Sequence, residues 1–406
     1  MYPEKIKKVL DVLEENGYEA YIVGGSLRNI LMGKEPSDWD VTTSAFPDET
    51  LELFRSKGFK VIETGLKHGT VTVLCEGEPI EITTFRIDGD YSDARHPDKV
   101  TFTRDLKTDL ERRDFTVNAM AYNEKTGLVD LFGGKEDLER GMIRCVGEPK
   151  KRFTEDALRI FRAFRFSSEH GFSIEENTLR AIRDCRGGLR SLSRERIFTE
   201  LRRTLMGDFA SEALKLLCEC GLMPFIFEEY DESSSPPCSL FDKLPKNEAL
   251  RFACFFSGFE KGKVREAVNS LKPANALKND VLSILDAVSY IGENKNSFED
   301  ELICRRFISK YAELAHSSSL LAGLLGKCGR DVSSHLENAE KKAFPRRISD
   351  LCISGADVLA LGASGRVVGD ILEFLLEETM KHPEKNEKSH LSELAKARLS
   401  GRTEDI

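Results

Sequence analysis

Between Val23 and Thr43 the chain runs VGGSLRNILMGKEPSDWDVTT. The glycine pair Gly24 and Gly25 follows an apolar run, Arg28 comes three residues later, and Asp38-Trp39-Asp40 closes the stretch. On a strand, side chains alternate with period 2, so Asp38 and Asp40 share one face and Trp39 takes the other. Two like charges held that close need a reason, and three stand open: a divalent cation, a carboxylate pair sharing a proton, or an acidic strand end in solvent. The glycines, placed just before a helix start, let backbone N–H groups approach a phosphate closely, and Arg28 adds charge. A lone glycine pair says little. Followed by the arginine and the paired aspartates, it puts phosphate donors and metal ligands in one strand-helix-strand unit.

Outward from this unit, the first third of the chain alternates helix and strand signals. Periodicity predicts a helix over about Glu4–Asn16, a strand at Ala20–Val23, a short helix over Ser26–Met32, the Asp38 strand, and a helix near Asp48–Lys57. HGTVTVLC (68–75) and PIEITTFR (79–86) read as a hairpin turning at Glu76-Gly77-Glu78. Glu81, two residues from Thr83 in the second of these strands, is either a third carboxylate for the Asp38 and Asp40 pair or an exposed strand residue. Three carboxylates on adjacent strands would suit Mg²⁺, a hard ion that keeps room for substrate phosphates. After about residue 147 strand signals vanish and amphipathic helical patterns run to the end, broken at Gly187-Gly188, at 233–237 and at 293–297. The fold class is therefore an α/β head with a mixed sheet, followed by an all-α remainder.

With 406 residues and 40% hydrophobic content, the chain is long enough for two or more packed domains. No apolar run approaches a membrane span, and the amino-terminal stretch lacks the uninterrupted apolar segment of a signal peptide. The ten cysteines form no CxxC pair, which points to neither a zinc site nor a disulfide framework and makes a reduced, cytoplasmic protein the expectation. A net charge of -9 argues against a chain that coats nucleic acid with its whole surface. A local basic region remains: from Arg144 to Arg203 there are 15 Lys and Arg against 9 Asp and Glu. That surplus is mostly arginine, which suits bidentate contacts to phosphates and base edges.

Six segments together resemble a known family. GGSLRNILMG (24–33), SDWDVTT (37–43), RRDFTVNAMAY (112–122), LVDLFGGKEDLERGMIR (128–144), EDALRIFRAFRF (155–166) and LSRERIFTEL (192–201) are similar, in order, to the motifs of class II tRNA nucleotidyltransferases, the CCA-adding enzymes. These belong to the nucleotidyltransferase superfamily that includes bacterial poly(A) polymerases. One residue departs from the pattern: the family usually has an aspartate after the arginine of the first motif, and here it is Asn29. The charge is gone, although asparagine still donates and accepts hydrogen bonds.

The resemblance implies a nucleotidyltransferase head at 1–146, a neck for base recognition at 147–208, a helical body at 209–295 and a tRNA-binding helical tail at 296–406. It implies that Asp38 and Asp40 hold two Mg²⁺ ions for in-line phosphoryl transfer; Glu81 stays a candidate catalytic carboxylate on the strand reading alone. Gly24, Gly25 and Arg28 would contact the triphosphate, and Arg113 and Asn118 would fix triphosphate and ribose. The implied substrates are tRNA, CTP and ATP.

In EDALRIFRAFRF, Asp156, Arg159, Arg162 and Arg165 recur every third residue and wind slowly round a helix. One reading is a solvated charged face held by a Glu155–Arg159 pair. The other follows from base chemistry. Cytosine and adenine each present an exocyclic amine beside a ring-nitrogen acceptor, whereas uracil and guanine present a carbonyl beside an N–H. A carboxylate from Asp156 accepts from the amine while Arg159 donates to the ring nitrogen, so one pair serves both wanted bases and leaves the wrong ones unpaired. The matching Asp and Arg of the family are credited with this protein-templated choice.

Alternatives within the superfamily are a poly(A) polymerase, an A-adding enzyme or a CC-adding enzyme. The chain lacks the strongly basic tail of the first. TFRIDGDYSDARHPDKV (84–100) resembles the loop that full and A-adding enzymes keep and CC-adding ones lose. A noncatalytic RNA-binding module is disfavoured by intact Asp38, Asp40 and Arg113. A fused HD phosphohydrolase is disfavoured because none of the seven histidines is followed by Asp. LCISGADVLALGASGRVVGDILEFLLEE (351–378) is similar to the family's tail; its glycines permit close contact with tRNA or serve as ordinary helix caps.

Overall fold

The computed structural model describes residues 2–36, 38–63, 65–89, 100–231, 235–329 and 331–401. These divide into two compact units, one of residues 1–242 with 259–273, the other of residues 243–258 with 274–406.

The first unit begins with α1 (Glu4–Glu15), whose Ile6, Val9, Leu10 and Leu13 form a buried stripe at helical spacing. Then come β1 (Ala20–Val23), α2 (Gly24–Leu31), β2 (Asp40–Thr43), α3 (Pro47–Ser56), β3 (Lys60–Ile62), β4 (Thr70–Cys75) and β5 (Glu78–Thr84). Further on lie β6 (Arg86–Asp88), β7 (Val100–Phe102), α4 (Leu106–Glu111), β8 (Met120–Asn123), β9 (Gly127–Asp130), α5 (Gly134–Glu139) and β10 (Met142–Ile143). Seven strands form one mixed sheet in the order β3-β4-β5-β2-β1-β8-β9. β1 lies inside this sheet and is buried along its whole length, as a strand covered on both faces must be. β2 runs parallel to β5 and antiparallel to β1. The β4–β5 hairpin turns at Glu76 and Gly77, both at positive φ, as a two-residue loop requires.

Two expectations change here. Asp38 is not on a strand: β2 starts at Asp40, because its pairing with β1 ends at Val41 opposite Ile22 and the chain after Val23 has already turned into α2. The alternation nonetheless survives, since Trp39 packs against the head core while Asp38 and Asp40 line a cleft. Strand pairing also continues past residue 147. After α6 (Pro149–Glu155) and α7 (Leu158–His170), Gly171 in the left-handed region turns the chain back, and β11 (Ser173–Ile174) pairs with β10. β8 and β9 overlap segments quoted for their motifs, not for their periodicity, and each extends one residue beyond them. Of the 84–100 stretch, Arg86–Asp88 and Val100–Phe102 pair as a ladder, and residues 90–99 lie outside the described residues.

α8 (Glu176–Cys185) and α9 (Arg194–Met206) complete the helical layer that carries α7, with the helix Ala210–Glu219 packed against α7 and α9. The second unit is helical. Tyr290, Phe298, Phe307 and Tyr311 form an aromatic cluster in it. A separate apolar cluster joins Leu351, Ile353 and Val358 to Ile371, Leu375 and Leu391. Among the described residues no helix is long and apolar enough to cross a membrane.

Candidate active site

In the first unit, the end of β1, the start of α2, the start of β2, the segment after α4 and one side of α7 open onto a cleft of about 770 Å³. Gly24 begins the site. It has φ +65°, and a Cβ there would lie 3.2 Å from Arg113 Nη1 and 3.4 Å from Asp40 Oδ2. The dihedral favours glycine, and the missing side chain leaves a cradle between a cation and a carboxylate that a Cβ would crowd.

Arg28, 7% exposed, lies one helical turn into α2. Its Nη1 donates to Asn118 Oδ1 at 2.6 Å and its Nη2 to Asn29 Oδ1 at 3.2 Å. Where the family usually has a charge, Asn29 therefore serves Arg28 as a neutral acceptor. Asn118 passes the chain on, its Nδ2 donating to Asp114 Oδ1 at 3.0 Å, and Asp114 Oδ2 accepts from Arg162 Nε at 2.6 Å. Burial alone would raise the Asp114 carboxyl; the Arg162 charge and the hydrogen bonds from Asn118 and Arg162 outweigh it and hold it far below the usual carboxylate range. Arg113 is aimed by buried Asp109, which accepts from Arg113 Nη2 at 3.2 Å and from Arg112 Nη2 at 2.8 Å.

Asp40 behaves differently. Burial raises its carboxyl, the charges of Asp38 and Glu81 raise it further, and Arg113 opposes them. Exposed Asp38 and half-buried Asp40 offer two hard oxygen donors at the cleft, and the one that burial disfavours as an anion, Asp40, gains from a compensating cation, so the donor set fits Mg²⁺. Glu81 stands opposite Asp40 in the β2–β5 register and is exposed, outside the cleft lining. Among the described residues no three His, Cys, Asp or Glu side chains are grouped closely enough to hold a metal. The expected three-carboxylate set is thus not assembled: Glu81 reaches Asp40 through its field, not into the cleft.

Asp156 and Arg159 both line the cleft, but Asp156 is not on α7. It sits in extended backbone between α6 and α7, so the every-third-residue row expected on one helix starts at Arg159. Its Oδ1 accepts from Leu158 N at 2.9 Å, fixing the helix start, and its Oδ2 from Arg196 Nη2 at 2.9 Å. Arg159 Nη1 donates to Glu155 Oε2 at 2.8 Å and to the Arg152 carbonyl at 3.2 Å, and Nη2 to the Arg112 carbonyl at 3.0 Å. The Glu155–Arg159 pair forms across the helix break. Arg159 keeps spare N–H groups and each Asp156 oxygen a spare lone pair, so both retain capacity for a ligand edge. Arg165, buried beside Glu200 and Arg162, is pushed down to about 10 by burial and then by the Arg162 charge.

Of the candidates named from the sequence, Gly24, Gly25, Arg28, Asp38, Asp40, Arg113, Asn118, Asp156, Arg159, Arg162 and Arg165 meet in this cleft. The sequence reading passed over Arg112, Asp114 and Arg196, although each lies inside a quoted motif, and took Phe166 only for an apolar contact, whereas all four line the cleft. The basic surplus of 144–203 is also spent largely within the protein: Arg152, Arg159 and Arg165 are buried, and Arg144 pairs with Asp137. Nine arginines against four aspartates still line the cleft, an environment for a polyanion.

Glycine backbone, convergent arginines and an aspartate pair at the start of a central strand of a mixed sheet define a nucleotidyltransferase. Residues 20–144 match the family model described as the Poly A polymerase head domain, and residues 171–233 the one described as a probable RNA and SrmB-binding site of polymerase A. A CCA-adding enzyme of Leuconostoc mesenteroides is 36% identical over 375 residues, 90% of this chain and 89% of that protein. The crystal structure of the Bacillus stearothermophilus CCA-adding enzyme in complex with CTP superposes with a TM-score of 0.81, 30% identity and full coverage of both chains. A Thermotoga maritima CCA-adding enzyme complexed with tRNA shares the fold, with a TM-score of 0.70 at 21% identity over 98% of this chain and 96% of that one. The chain belongs to the CCA-adding enzymes.

Proposed function

We propose that this protein completes the 3′ end of tRNA by adding C, C and A from CTP and ATP, without a nucleic-acid template and with release of pyrophosphate. The observation that carries the reading is the single cleft in which the Gly24 cradle, the arginine set, the Asp38 and Asp40 pair and the Asp156 and Arg159 pair meet. Backbone groups at Gly24 and Gly25, with Arg28 and Arg113, hold the triphosphate. Asn118 fixes the ribose side of the nucleotide while bridging Arg28 and Asp114. Asp38 and Asp40 would hold Mg²⁺, whose chemistry there would be charge compensation at the phosphates and a lowered pKa for the attacking 3′-hydroxyl.

Asp156 accepts from the exocyclic amine of C or A, and Arg159 donates to the neighbouring ring nitrogen. Arg162 and Arg165 extend the positive wall along α7. We assign the head to 1–146, the neck to 147–208, the body to 209–295 and the tRNA-binding tail to 296–406, in a cytoplasmic protein. Incorporation of labelled CTP and ATP into tRNA that ends at the discriminator base tests the whole reading.

A further inference from the structure

Three guanidinium groups of the cleft converge on one ring. The Cζ atoms of Arg28, Arg162 and Arg165 lie 4.8, 5.2 and 4.4 Å from the centroid of Phe166, within the range where an aromatic face attracts a cation. Phe166 is 3% exposed and lines the cleft. Its ring is braced by Phe115, edge-on at 5.9 Å, and by His170, stacked at 6.1 Å. Burial, then the charge of Arg28, pushes His170 down to about 4, so at neutral pH it is an uncharged ring that does not repel the arginines.

Crowding three like charges is costly, and carboxylates answer only part of the cost. Arg162 has Asp114, and Arg165 has Glu200 at 3.3 Å and Glu169 at 3.8 Å. The hydrogen bonds found for the Arg28 side chain go to the neutral amides of Asn118 and Asn29. A further carboxylate would relieve the repulsion but cancel the field that must hold a triphosphate. An aromatic face attracts cations while adding no net charge and occupying no N–H donor.

We propose that Phe166 is a positioning residue for the nucleoside triphosphate: its π surface gathers Arg28 of α2 with Arg162 and Arg165 of α7 into one anion-binding set. The ring thereby joins the phosphate-side helix to the base-side helix. This inference rests on the reading of the cleft as the triphosphate site.

Fluorinated phenylalanines placed at position 166 of the full-length protein withdraw π density while nearly preserving shape. KM and kcat are measured for CTP on tRNA ending at the discriminator base and for ATP on tRNA ending in CC, and affinity for inorganic tripolyphosphate is measured by calorimetry. KM and the tripolyphosphate Kd should rise stepwise with one, two and three fluorines, to about tenfold, with kcat within about twofold. Phe166→Leu should lose at least as much, and Phe166→Tyr should stay near the parent. A flat fluorine series, or equal impairment in the Leu and Tyr variants, overturns the proposal, because the ring then only fills space. A parent that binds tripolyphosphate yet incorporates neither nucleotide overturns the functional reading, and the tripolyphosphate series still decides the role of Phe166.

Discussion

Asn118 accepts a 2.6 Å hydrogen bond from Arg28, ninety positions away in the sequence, while its amide nitrogen donates to Asp114. One amide thus connects the first helix of the phosphate site to the ion pair that holds Arg162. Asn118→Ala removes an acceptor from a buried guanidinium and a donor from a buried carboxylate. The expected cost is about 1.5–3 kcal/mol of stability, together with a raised KM for both CTP and ATP. Thermal unfolding and steady-state kinetics check the two effects separately, and parental values in both would remove Asn118 from the site.

Asp40 is the reverse case, a carboxyl whose ionised form the folded protein disfavours through burial and the Asp38 charge. A carboxyl raised above its unfolded value costs stability above the unfolded pKa, a cost that protonation relieves as pH falls. Without divalent cation at pH 7, Asp40→Asn should therefore unfold at or above the parental temperature. Adding Mg²⁺ should raise the parental Tm and leave the variant unmoved, and nucleotide incorporation by the variant should fall by orders of magnitude. Equal stabilisation of both proteins by Mg²⁺ would take Asp40 out of the ligand set.

Asp114 gives an opposite pH signature. Burial would raise its carboxyl, but the Arg162 charge with the hydrogen bonds from Asn118 and Arg162 hold it well below the ordinary value of 3.8. Its contribution is present above the unfolded pKa and is lost as pH falls through the folded one. Asp114→Asn should destabilise the protein at pH 7, with the gap to the parent closing below about pH 4. Denaturant unfolding from pH 7 to pH 3 measures this, and a constant gap would contradict it.

Arg159 is held by Glu155 and two backbone carbonyls, ready to present its remaining donors. Arg159→Ile leaves the ring nitrogen of C or A without a donor, so UTP and GTP should begin to compete for incorporation. Competition assays with all four nucleotides read this directly. Parental rejection of U and G would place base choice elsewhere.

Much of this site was legible because its parts are local. The glycine pair, Arg28 and the Asp38-Trp39-Asp40 pattern declare a strand-helix-strand unit within twenty-one residues, and the β4–β5 hairpin announces itself by alternation and a two-residue turn. The limits of β2 were not local. Asp38 falls off the strand because of where the partner β1 ends, which no spacing within 38–40 records. Asp156 looked helical by its company in EDALR, yet its carboxylate caps the next helix and the backbone there is extended. Asp114 stood in a quoted motif unread, since its partner Arg162 is forty-eight positions away, and Phe166 reads from the sequence only as an apolar contact of the helix, since nothing local brings Arg28 to its ring. For Glu81 the sequence left two readings open, a third carboxylate or an exposed strand residue, because register alone does not say which strand end opens into a cleft; its side chain is exposed and outside the cleft lining.

The central claim is that one cleft selects C and A in order on a tRNA end without a template. The most direct measurement supplies the purified protein with tRNA ending at the discriminator base and CTP alone, ATP alone, or both, and reads the product ends. The expected products are CC with CTP alone, no extension with ATP alone, and CCA with both. Extension by a run of A with ATP alone, arrest at CC with both nucleotides, or extension only of tRNA already ending in CC would contradict the account.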